Sequence, residues 1–174
     1  MKTLLASLML ATGALAQESV EPPPPAAPPG CDSEQHRQFD FWVGEWDVTA
    51  KGKPAGHNRI ELLYGECVLR ENWTSANGSF KGGSLNTYDR ASGQWHQTWV
   101  DSGGTLLQLD GGLVDGKMVL SGQRPGRDGD MVTNRITWTP SADGSVRQLW
   151  EISRDGETWE AVFDGHYVKA MDPE

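Results

Sequence analysis

The chain has 174 residues with 24 acidic against 15 basic side chains, a formal net charge of −9, eight tryptophans, 21 glycines and two cysteines. A net-negative surface repels polyanions, which speaks against nucleic acid and anionic membranes as partners. No CxxC or clustered His/Cys spacing is present, which speaks against a metal site.

Residues 1–16, MKTLLASLMLATGALA, combine one lysine, an apolar run and the ending Ala14-Leu15-Ala16. This is the pattern of a signal peptide cleaved before Gln17. The run falls short of the roughly 20 apolar residues a membrane span needs, so the mature chain is expected to be periplasmic or secreted, with no membrane attachment. Residues 17–30 are dominated by proline and read as a polyproline-like linker. Residues 31–170 then form one domain, enough chain for a single substantial core, and 171–174 are a short tail. In an exported protein Cys31 and Cys67 are predicted to pair, tying the domain's entry to an early strand. A reactive or metal-binding thiol is the competing reading.

Between Ser33 and Val43 the chain reads as one short helix, with Ser33 as N-cap and Gly44 as the stop. Beyond it the period becomes two. Trp46 and Val48 alternate with Asp47 and Thr49, Ile60 and Leu62 with Arg59 and Glu61, and Leu69, Glu71 and Trp73 with Arg70, Asn72 and Thr74, as in half-buried strands. Turn sequences punctuate the rest at Asn77-Gly78, 89–93, 102–104, Asp115-Gly116, 126–129, Asp143-Gly144 and Asp155-Gly156, where glycine supplies the positive φ of tight hairpins. About ten strands result. An antiparallel meander of that length, without helices to cover it, removes its edges by closing, so an all-β up-and-down barrel is favoured over a sandwich.

The segments FDFWVGEWDV (39–48), GECVLRENW (65–73), Asn86 with Tyr88-Asp89, GQWHQTWVD (93–101) and FDGHY (163–167) occur in order. Together they resemble a family of exported bacterial proteins of unknown function that is calycin-like, akin to lipocalins and nitrobindins in architecture. The resemblance implies a barrel around a central cavity and brings no established activity.

Alternation places Trp95, Gln97 and Trp99 on one face, Ser84, Asn86 and Tyr88 on that of the preceding strand, Gln148 and Trp150 on that of a late strand, and Glu71 with Trp73 on that of an early one. The candidate ligand-binding set is therefore Glu71, Trp73, Asn86, Tyr88, Gln97, Trp99, Gln148 and Trp150. Aromatic walls with a few amides and a carboxylate suit a small apolar or aromatic ligand. The same residues also suit a solid core whose polar members satisfy one another, as in a structural or interaction module. Arg135 is expected to point outward, although a one-residue slip would turn it inward.

Among the histidines, His36 and His57 are expected to be exposed and His96 to face away from the tryptophans. The resemblance to nitrobindin-like barrels implies one possible cofactor, haem, through His166 on the last strand; the cofactor otherwise stays open. No GxSxG, HExxH or phosphate-binding glycine loop occurs, so no catalytic residue is assigned. An enzyme needing one acid or base, Glu71 or His166, in an apolar cavity is the remaining alternative. The stretch Ser153 to Trp159, which is close to an aspartate box, reads as a hairpin.

Overall fold

The computed structural model describes residues 30–126 and 128–171. The segments expected to be a signal peptide and, before Gly30, a linker, and the tail after Met171, lie outside the described residues. The alternating segments form ten strands: β1 (Gly44–Ala50), β2 (Lys53–Leu63), β3 (Val68–Ser75), β4 (Lys81–Asp89), β5 (Gln94–Asp101), β6 (Leu106–Val114), β7 (Lys117–Pro125), β8 (Met131–Pro140), β9 (Val146–Ser153) and β10 (Glu160–Lys169). Each strand pairs antiparallel with its sequence neighbours, and β1 pairs with β10, which closes the barrel. Among the described residues the closure leaves no unpaired strand edge.

The turn sequences explain the connections. Asp115 and Gly116 both take positive φ, 50° and 75°, the requirement for a two-residue turn whose twist matches the flanking strands. At Asp155 the carboxylate accepts the N–H groups of Glu157 and Thr158, and Ser153 Oγ accepts that of Gly156. That stretch is thus a capped hairpin between β9 and β10.

The entry segment differs from the single helix expected. It contains α1 (Glu34–Arg37) and a separate 3₁₀ turn (Asp40–Trp42), with Phe39 between them at φ −107°, ψ 4°. The reason is packing. In a 3₁₀ turn positions three apart eclipse one another, so Phe39 and Trp42 stack at 5.0 Å and 15° and enter the barrel together. Phe39 also meets Trp95 and Trp138 edge-on, at 5.6 and 5.1 Å. All four rings are essentially inaccessible to solvent, and they plug this end of the barrel.

The Cys31–Cys67 disulfide holds the plug to the β2–β3 turn. Arg37 adds hydrogen bonds to the Glu66 carboxylate and backbone. His36, expected to be exposed, is instead buried. Its Nδ1 shares a 2.7 Å hydrogen bond with Ser33 Oγ, and its ring meets Tyr88 at 5.2 Å. Burial, and then the charges of Arg90 and Arg37, lower its pKa. Docking of the plug against the barrel end buries it, and local polarity could not reveal that.

Candidate functional site

At the end opposite the plug the barrel interior opens into a cavity of about 320 Å³. This volume is at the small end of the range of roughly 300–1,000 Å³ usual for small-molecule sites. Trp73 on β3, Trp99 on β5, Trp150 on β9 and Phe163 on β10 form its aromatic walls. Leu107 and Ile136 complete them, Phe80 and Val162 stand at the rim, and Glu71, Gln97, Gln148 and Tyr167 lie deeper.

The walls stand back from the lumen for a local reason. Trp73 lies over Gly56 of β2, where an added Cβ would come within 2.7 Å of the indole. Trp99 lies in the same way over Gly82 of β4, and Phe163 over Gly165 of its own strand. Trp150 also leans toward the preceding strand, where its Nε1 donates to Asn134 Oδ1 at 3.0 Å. Trp99 Nε1 donates to Asp101 Oδ2 at 3.0 Å. With glycine or a polar partner beneath them, the rings rest against the barrel wall and leave the space between them open.

Below the cavity lies a polar layer. Asn58 Nδ2 donates to Glu71 Oε1 at 2.8 Å, and Ser84 Oγ donates to Glu71 Oε2 at 2.6 Å. Asn86 Nδ2 donates to Ser84 Oγ at 2.9 Å, and Gln97 Nε2 donates to Asn86 Oδ1 at 2.8 Å. On the facing strands the Tyr167 hydroxyl donates to Gln148 Oε1. Two donors to one carboxylate favour its charged form, but burial outweighs them and raises the Glu71 pKa to about 7. Burial, and then the nearby Glu71 charge, hold the Tyr167 phenol well above its usual pKa.

Six of the eight expected ligand-binding residues line the cavity: Glu71, Trp73, Gln97, Trp99, Gln148 and Trp150. Asn86 is one layer deeper, in the hydrogen-bond network. Tyr88 is not at the cavity at all. Strand β4 runs from the mouth to the plug at about 3.4 Å per residue, so Tyr88 ends up at the plugged end against His36 and Trp95. The pattern did not single out Tyr167, Phe163 or Asn58. For Phe163 and Tyr167 the signal was present, since they share the inward face of β10 with Gly165, but only strand tilt sets Phe163 beside Trp73 in the wall and Tyr167 level with Glu71.

Other candidates fall outside the lumen. His166 is exposed on β10, between Gly165 and Tyr167 that face inward, so its ring is on the outer surface and cannot serve the cavity. Arg135 also points outward. It pairs with Glu151 at 3.0 Å and stacks over Trp159 at 3.7 Å. Glu61, which the alternation of β2 already placed outward, faces away from Glu71 and pairs with Arg59 and Arg70. Among the described residues no group of three or more His, Cys, Asp or Glu side chains could hold a metal ion.

Fold and site together define a closed antiparallel β-barrel, plugged by aromatics at one end and hollow at the other. No family model matches the chain, and no curated protein matches it.

Proposed function

We propose that the chain is an exported, calycin-like barrel that binds a small molecule of largely apolar or aromatic surface in its open half. The observation that carries this reading is the division of the interior. Four tryptophans and a phenylalanine pack solidly near the plug, or directly on it, whereas the aromatic residues of the other half surround open space. A barrel needed only as a rigid module would gain stability by filling that space, because unfilled apolar volume forgoes dispersion contacts. Apolar walls give affinity, and the floor amides and carboxyl fix the orientation of a polar group. The signal-peptide pattern and the disulfide support export.

Native mass spectrometry of the mature protein purified from its host's envelope tests this. A non-covalent bound mass, released by denaturation, is expected, together with saturable tryptophan quenching when the released compound is added back. Bare polypeptide that no small aromatic compound quenches would overturn the reading.

A second reading has one specific observation behind it. A carboxyl with a pKa of about 7 in an apolar cavity is suited to general acid–base catalysis at neutral pH. An enzyme would lose turnover on Glu71→Gln while keeping its fold and its affinity, whereas a binding protein would have no turnover to lose.

A further inference from the structure

We propose that the ligand of this cavity is a compact organic cation, such as an alkylated or quaternary ammonium, held between the faces of Trp73, Trp99, Trp150 and Phe163 with Glu71 as its counter-charge. The proposal rests on the cavity being a ligand site and specifies the ligand's charge.

Three observations support it. Of the residues that line the cavity, Glu71 is the one whose side chain ionises near neutral pH, and none is lysine, arginine or histidine. An anionic ligand would thus meet a carboxylate with no compensating charge at the floor, and desolvating it there would be costly. Next, Trp73, Trp99 and Phe163 lie over glycines and Trp150 is held to the wall by Asn134. These four rings surround the open space, and the negative face of an aromatic ring attracts a cation. Third, the chain's net charge of −9 favours approach of cations over anions.

Neutral aromatic ligands fit the walls equally well, and Glu71 tells the two apart. Hydrogen bonds from Asn58 and Ser84 already orient the carboxylate, so a bound cation completes an ion pair that was preorganised. Cation binding then draws the proton off Glu71. With a pKa of about 7, close to half a proton per site is released at neutral pH.

The test uses three probes of similar size: phenyltrimethylammonium, its neutral isostere tert-butylbenzene, and benzoate. Tryptophan quenching and titration calorimetry follow binding to the full-length mature protein. At about pH 8 the cation is expected to bind at least roughly tenfold more tightly than the isostere, and benzoate not to bind. Between about pH 8 and pH 6 the cation's affinity falls about tenfold, as the ionised fraction of Glu71 does. In Glu71→Gln that dependence is lost. Should this variant not fold, the pH dependence of the native protein against that of the isostere gives the same comparison. If the isostere or benzoate binds as tightly as the cation, the cation assignment is overturned and the ligand-site reading stands. If no probe binds, both are overturned.

Discussion

Trp99 lies across the lumen face of Gly82, its Cζ2 only 2.3 Å from the point where a Cβ would stand. The glycine on β4 thereby sets how far the indole on β5 recedes from the lumen, and Gly56 beneath Trp73 does the same one hairpin earlier. Cavity volume is thus encoded in residues that have no side chain.

Gly82→Ala is expected to push the Trp99 ring into the lumen. Overpacking of this kind costs about 1–3 kcal/mol and reduces the cavity. Urea unfolding reads the first effect, and loss of probe binding at a stability still high enough for folding reads the second. Unchanged binding would show that the ring can move elsewhere.

Stability should fall as pH rises across the Glu71 titration. Burial raises its pKa from 4.5 to about 7, so over that interval the folded chain keeps a proton that the unfolded chain has released. Its contribution is complete below pH about 4.5 and lost by about pH 7, a difference of roughly 3 kcal/mol. His36, whose pKa burial lowers, acts in the opposite direction near its own titration. The difference between native protein and Glu71→Gln, measured by denaturant unfolding at about pH 5 and pH 8, isolates the carboxyl. A difference that does not vary with pH would mean the carboxyl stays ionised in the fold.

The disulfide closes a loop between residues 36 apart. Its removal in a Cys31→Ala/Cys67→Ala variant is expected to cost about 3–4 kcal/mol and lower the melting temperature by about 10 °C. Because the bridge ties the plug to the β2–β3 turn, near-ultraviolet circular dichroism from Phe39, Trp42 and Trp95 should weaken more than the strand signal. Equal loss of both would place the disulfide's effect on the whole barrel.

His166→Ala is expected to change stability by less than about 0.5 kcal/mol, as a surface substitution does, and to leave probe binding and absorption spectra unchanged. A lost visible absorption band would contradict its outward position.

The fold was largely legible in the chain. Period-two runs between glycine turns gave the ten strands, and each turn named from sequence joins two of them. The cysteines pair as their context predicts. For the site, Trp73, Gln97, Trp99, Gln148 and Trp150 were reachable because alternation decides which side of a strand a residue faces. How far along the barrel it sits is a different matter. Tyr88 shares a face with Ser84 and Asn86 yet belongs to the plug, and Tyr167 joins Glu71 from a strand at the opposite end of the sequence.

The sequence by itself therefore determined the strands, their turns, their inward and outward faces and the disulfide, because these follow from local dihedral preferences, a two-residue period and the pairing of the two cysteines. Only the tertiary structure decided which inward residues share a level of the barrel, that one end is filled by Phe39 and Trp42 while the other stays open, and that Glu71 is desolvated to a pKa of about 7. Those properties depend on strand tilt, closure and burial by segments distant in sequence, and none of them exists until the barrel has closed.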